Sequence, residues 1–242
     1  MTRVTDAIFV HPVEARRRFE DFASRELGPA DVAEGALLIA LEEYPQLDVE
    51  RELARIDALA ERVLERSERD EPSIFRLGHL HAVLFDQEGF IGNVGDYYDE
   101  RNSYLNEVLE RRIGIPITLS ILFLRVARLA GLDAHGVGLP GHYLTKICFD
   151  LSEVYVDPFH GGRTMTISEI AAFLDEISES QVALRAEHLR AWSVRQTLVR
   201  VLANLQAIHE RKGDTRRRNR AIERIEILRA LGSWDDESGG RR

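Results

Sequence analysis

Few side chains in this sequence have the means to do chemistry. His142 opens one predicted strand and Asp157 directly follows the next, hydroxyls stand upstream at Thr118 and Ser120, and Cys148 is the single cysteine. Nucleophilic acyl transfer needs a thiolate or activated hydroxyl, an imidazole to take its proton, and a carboxylate or amide to orient that imidazole. The nucleophile works best at a helix N-terminus, where the partial positive charge lowers a thiol pKa. Cys148 does not meet this requirement. It falls on the same predicted strand as His142, about 20 Å further along at ~3.3 Å per residue, and is expected to be a small buried hydrophobe. Thr118 and Ser120 lie on a predicted helix. Ser120 is one turn beyond Pro116 and can share its face, although a hydroxyl there more often bonds the carbonyl four residues back.

Other polar groupings carry weaker signals. Gly89, Gly92 and Gly95 follow a helix-like segment and do not match a dinucleotide fingerprint. His79 and His81, two apart on a predicted helix, point in different directions and cannot chelate together. His135, His142, His160 and Asp157 have the donor types of a zinc site, but His135 and His160 lack ligand spacing, so no metal is expected. Asn93, Tyr98, Asn102 and Asn106 flank a glycine-rich stretch. They are read either as caps of an irregular loop or as the rim of a ligand groove.

The elements that must position these groups follow from periodicity. Pro12 opens a helix through Phe19 and Phe22 toward Leu27, and Gly28-Pro29 breaks it. Asp31 is placed to cap a segment carrying Leu37, Leu38 and Leu41 that ends at Pro45. From Asp48 to about Arg69, Leu53, Ile56, Leu59, Ala60 and Val63 recur at three and four, the mark of an amphipathic helix. Pro72-Ser73 restarts a helix carrying Ile74, Leu77, Leu80, Val83 and Leu84. The run Gly89 to Tyr98 has neither period and is expected to be a loop. Two buried helices follow, Ser103 to Arg112 and Pro116 to about Ala130, the second closed by Gly131. The period then switches to that of strands: Ala134 to Leu139, His142 to Phe149 and Val154 to Val156, with antiparallel pairing the simplest connection. Thr166 and Glu169 predict a capping box for a helix through Leu174. Trp192, Leu198, Val201, Leu202, Leu205 and Ile208 form one C-terminal stripe and Ile222, Ile225, Leu228 and Leu231 another, joined at Gly213-Asp214 as a helical hairpin.

Composition bounds the class. The 242 residues are 44% hydrophobic and 30% charged, enough to bury a core without disulfides or metal. A formal charge of −9 argues against broad attachment to nucleic acid or anionic lipid. The basic runs Arg16, Arg17, Arg18 and Arg216, Arg217, Arg218, Arg220 sit among acids and read as solvated helix faces. A single cysteine, no leader-like start and no apolar run near the ~18 residues of a membrane span lead to a cytoplasmic expectation.

The stretch Gly114-Ile115-Pro116, a helix ending Arg125-Val126-Ala127-Arg128-Leu129-Ala130-Gly131-Leu132, a strand ending Pro140-Gly141-His142, and Tyr155-Val156-Asp157-Pro158 together resemble a transglutaminase core in chain order. More narrowly, Gly89-Phe90-Ile91-Gly92-Asn93, Asp96-Tyr97-Tyr98-Asp99, Asn102-Ser103-Tyr104-Leu105-Asn106, Arg112-Ile113-Gly114-Ile115-Pro116-Ile117, Gly136-Val137-Gly138-Leu139-Pro140-Gly141-His142 and Asp157-Pro158-Phe159-His160-Gly161-Gly162 resemble the SirB-type family, over about residues 35 to 210. That family joins a transglutaminase-like domain to tetratricopeptide-like helices. The resemblance implies an α+β fold with a papain-like core and a small antiparallel sheet. With the composition break at Gly89, the chain is expected to divide into an N-terminal helical region (1–88), the core (89–180), a C-terminal helical hairpin (181–234) and a disordered tail (235–242). The resemblance also implies that His142 and Asp157 are a residual triad, with Pro116 where the nucleophilic cysteine would stand. The expected protein is a non-catalytic binding or scaffold protein with a protein or peptide partner and no cofactor. The alternative is a hydrolase or amidase using a water activated by His142 and Asp157, or Ser120.

Overall fold

The computed structural model describes residues 9–177 and 182–231; the tail expected from Asp235 lies outside them. Helix α1 (Pro12–Ala23) starts at its proline and ends short of Leu27. Its end is fixed from two sides: Ser24 Oγ donates to Asp21 O, and the Arg195 guanidinium takes up the carbonyls of Ala23 and Arg25, each at 2.9 Å. Helix α2 (Val32–Leu41) is buried along nearly its whole length. The expected Asp31 cap does not form, because the Asp31 carboxylate turns back to accept the N–H of Gly28 at 2.7 Å in a tight 3₁₀ turn. Helix α3 (Val49–Arg66) is capped by Asp48 and buries Ile56, Leu59, Ala60 and Val63 as their spacing predicts. Helix α4 (Ser73–His81) runs into one π-helical turn, Ala82–Gln87, that keeps Val83 and Leu84 buried.

The glycine-rich stretch is not wholly a loop. Strand β1 (Ile91–Gly92) pairs in parallel with β2 (Ile113–Gly114), and Ile91 N and Asn93 N donate to Arg112 O and Gly114 O at 3.0 and 2.9 Å. Two residues are too short a run to show a period. Between them lies α5 (Leu105–Arg111), which ends at Arg112 with φ 59°. Helix α6 (Pro116–Leu129) follows with every residue from Pro116 to Leu124 buried. Proline is suited to its first turn, where an N–H would lack a helical partner in any case.

Strands β3 (Asp133–Leu139), β4 (His142–Phe149), β5 (Ser152–Asp157) and β6 (Arg163–Met165) form one antiparallel sheet in chain order. The three-residue β6 has no counterpart among the predicted strands, being too short to register as one. Alternation divides the sheet's side chains. Ala134, Tyr143, Ile147 and Val156 join the apolar core that contains α6, whereas Val137, Leu139, Leu144, Tyr155 and Met165 form a second cluster with Ile170 of α7 (Ile167–Ile177). Helix α7 carries the predicted capping box: Thr166 N donates to Glu169 Oε2 at 2.7 Å and Glu169 N to Thr166 Oγ1 at 3.3 Å.

The C-terminal hairpin is α8 (Val194–Lys212) and α9 (Thr215–Leu231), turned at Gly213 with φ 70°. It shares the main core: Leu198, Val201, Leu202, Leu205, Ala221, Ile225 and Leu228 pack in one cluster with α1, α2 and α6. Trp192 does not lie on the α8 stripe. It precedes the helix, bridges to Gly136, and lays its ring on the backbone of Gly138, where a Cβ would come within 2.1 Å of it.

Candidate functional site

Helix α6 and β3 run antiparallel and are of similar length, about 21 Å for fourteen helical residues and about 23 Å for seven extended ones. The start of α6 therefore lies at the end of the sheet where β3 turns into β4, the end that carries His142. Two contacts connect them. Gly114, just before α6, pairs with Gly92, and Gly92 lies under Phe159 so closely that a Cβ would meet the ring and the carbonyl oxygen at 2.5 Å. The Phe159 ring in turn stands edge-on to His142, with centroids 6.0 Å apart.

His142 opens β4 after Gly141, whose φ is +73°. By alternation it shares the face of Leu144, the face that α7 covers, and Phe173 of α7 meets its ring at 4.8 Å. Its Nε2 and Asp157 Oδ2 are 2.9 Å apart. Asp157 closes β5 and is fully buried, and His142 is only 5% exposed. The same Oδ2 also meets His160 Nδ1 at 2.7 Å, while Oδ1 accepts the backbone N–H groups of Phe159 at 3.1 Å and His160 at 3.4 Å. Burial by itself would raise the Asp157 carboxyl pKa; the hydrogen bonds and charge of His142, then of His160, outweigh it and hold the group below its ordinary value. The sequence groups His160 with Asp157 by donor type alone and shows no ligand spacing; the structure brings the two together, Asp followed three residues later by His being the spacing of a one-turn cap.

The other expected site residues are placed as follows. Pro116 is the first residue of α6 and is buried. Thr118 Oγ1 donates to Asn102 O at 2.7 Å and accepts from Ile115 N at 3.2 Å, so it serves the helix start. Ser120 is fully buried and does not bond back to the carbonyl four residues earlier; its hydroxyl has no hydrogen-bond partner among the described residues. Asn102 holds the glycine-rich segment together: its amide donates to Asp96 O at 2.8 Å and its carbonyl accepts from Asn93 at 3.1 Å. Asn93 Oδ1 also accepts from Asp96 N. Tyr98 is exposed and stacks under the Arg211 guanidinium at 4.2 Å. Asn106 Oδ1 is buried without a partner among the described residues.

The donor types grouped for zinc divide between two places. His135 pairs with Lys146 in the ladder, down the strand from His142, and falls in with Asp133 and Cys148 rather than with His160. Asp133 there is held by Arg128. Cys148 is a half-buried free thiol rather than a fully buried hydrophobe. Among the described residues, His142, Asp157 and His160 form the second such group. Of the basic runs, Arg16, Arg17, Arg18, Arg217, Arg218 and Arg220 each meet a carboxylate. No helix among the described residues is long and apolar enough to cross a membrane.

A central helix laid on an antiparallel sheet, with a buried histidine–aspartate pair at the end where the helix begins, defines a transglutaminase-like domain. A profile of the transglutaminase-like superfamily matches residues 50–203, and the chain belongs to that superfamily. It is 36% identical over 203 residues to a protein of Xylella fastidiosa named "UPF0162 protein", an alignment covering 78% of this chain and 69% of the relative. A protein of the same name from Vibrio cholerae is 32% identical over 177 residues, 71% of this chain and 62% of that one. F-box only protein 21 of Mus musculus is 33% identical over 145 residues, 57% of this chain but 22% of that protein. No solved structure matches the chain.

Proposed function

We propose that this chain is a SirB-type, transglutaminase-like protein in which Pro116 stands where a nucleophilic cysteine would, and that it binds a protein or peptide partner without turning it over. The observation that carries this reading is the company of His142: its polar partner is Asp157, and among the described residues no thiol or hydroxyl hydrogen-bonds its ring. Ser120, the substitute nucleophile, is sealed in the core. Proline at the first helical position keeps the helix start and has no atom able to attack. The exposed apolar residues Ile91, Val94 and Tyr98 on the segment beside the site offer a surface for an extended peptide, and Tyr98 is the one expected ligand residue on that exposed side. The mouse relative, in which the matching region is 22% of a protein named for an F-box, supports a module that also stands within a longer protein.

Two measurements test the reading. A panel of glutamine amides and aryl esters should show no turnover above buffer; turnover that disappears in His142→Ala would overturn it and favour the hydrolase. In a Cys148→Ser background, Pro116→Cys should yield a thiol alkylated with an apparent pKa below the ordinary ~8.5, rising when His142→Gln is added. An ordinary value indifferent to His142 would remove position 116 from the triad.

A further inference from the structure

His142, Asp157 and His160 are more than a triad remnant with a neighbour. Their ligand atoms all lie within 4.8 Å of one another, with Asp157 fully buried, His142 nearly so and His160 41% exposed. The separations from Asp157 Oδ2, 2.9 Å to His142 Nε2 and 2.7 Å to His160 Nδ1, are hydrogen-bond lengths, a few tenths of an ångström short of the roughly 3.0–3.4 Å between ligands bound at about 2.1 Å at right angles or tetrahedrally, so a small outward shift of the two imidazoles would admit one ion. Two imidazoles and one carboxylate on one face, with the remaining positions open, is the arrangement that suits a divalent first-row transition ion.

The surroundings have the support that such a site needs. Asp157 would bind through Oδ2 alone, because Oδ1 is held by the backbone N–H groups of Phe159 and His160. The two imidazoles stack on each other at 5.7 Å, and Phe173 stands edge-on to both, at 4.8 Å from His142 and 5.9 Å from His160, so the ring planes are set before any ion arrives. Outer contacts that fix ligand orientation are half of what makes a metal site. The exposed edge of His160 gives access from solvent.

We infer that His142, Asp157 and His160 form a binding site for one divalent transition-metal ion, exemplified by zinc. In the metal-free protein each imidazole presents an N–H to the Asp157 carboxylate, which can only accept. On binding, those ring nitrogens turn lone pairs to the ion and their protons move to the opposite nitrogens or, where these already carry one, to solvent. His142 Nδ1 and His160 Nε2 have no hydrogen-bond partner among the described residues, which leaves them open to carry those protons. The site includes the two residues read above as a triad remnant but depends on His160, which that reading does not use.

The test is titration of the chelator-treated full chain with zinc chloride by calorimetry and with cobalt chloride by visible absorption. One saturable site is expected, with a cobalt ligand-field band and a zinc-dependent rise in melting temperature. His160→Ala, a change at a partly exposed side chain, should keep the fold by circular dichroism and weaken binding at least about tenfold, given that even supporting residues cost 10- to 100-fold. Asp157→Asn should do the same where it folds, and His135→Ala and Cys148→Ser should leave binding unchanged. No saturable binding, equal binding by His160→Ala, or binding lost in Cys148→Ser would each overturn the proposal. None of these outcomes bears on whether the chain turns over amides, so the two readings fail separately.

Discussion

Asp157 is the residue around which the site is organised, because one buried carboxylate accepts from two imidazoles and two backbone N–H groups. Removing it leaves those donors unanswered, so Asp157→Ala should cost on the order of 3–5 kcal/mol in urea unfolding. Its pKa lies below the ordinary value in the folded state. The stability it contributes is therefore fully present above the ordinary carboxylate range and is lost as pH falls through the lower folded value. The difference between wild type and Asp157→Asn should hold at neutral pH and shrink below about pH 4. A difference constant from neutral pH to about pH 3 would mean that ionisation of Asp157 contributes nothing. The meeting of His142 and Asp157 was legible in the sequence through its resemblance to a transglutaminase core in chain order. The role of His160 was not, because a one-turn cap after a strand has no periodicity to read.

At the scale of elements, short irregular pieces do the positioning. The pairing of β1 with β2 brings the glycine-rich segment alongside the start of α6, and Gly92 lets Phe159 settle against it. An added methyl there meets both a ring and a backbone oxygen at 2.5 Å, and the backbone cannot step aside. Gly92→Ala should destabilise by about 1–3 kcal/mol. It should also broaden or shift the His142 ring signals in NMR by displacing Phe159. Full stability with unchanged imidazole signals would show that this contact does not position the site. The long helices α3, α8 and α9 were legible because each keeps one apolar stripe over several turns, and α6 because its apolar run opens at Pro116 and is closed by Gly131. Trp192 was assigned to the α8 stripe by its spacing, but the backbone bridge to Gly136 and the ring contact with Gly138 draw it onto the sheet.

Across the whole molecule, the C-terminal hairpin is fastened to the first half of the chain by charge as well as by apolar packing. Arg224 and Arg220 meet Glu42, Arg217 meets Glu43 and Glu100, and His209 lies buried near Glu100 and Tyr104. Burial lowers the His209 pKa, against the opposing pull of Glu100. Neutral His209 thus contributes stability that is complete above its ordinary value near 6.5 and is lost as pH falls through the lower folded value. His209→Gln should flatten the decline in melting temperature below about pH 6.5 relative to wild type. Parallel declines would assign that decline to other groups.

The sequence by itself determined the succession of long helices and three of the four strands of the main sheet, which follow from a local period that every stretch carries within itself; its resemblance to a transglutaminase core implied the α+β class and the meeting of His142 with Asp157. Only the tertiary structure decided that Asp157 serves two histidines, that the glycine-rich segment pairs with the residues before α6, and that His135 and Cys148 group apart from His142. Those outcomes depend on which faces and ends of separate elements come to lie against one another, and no single segment encodes that.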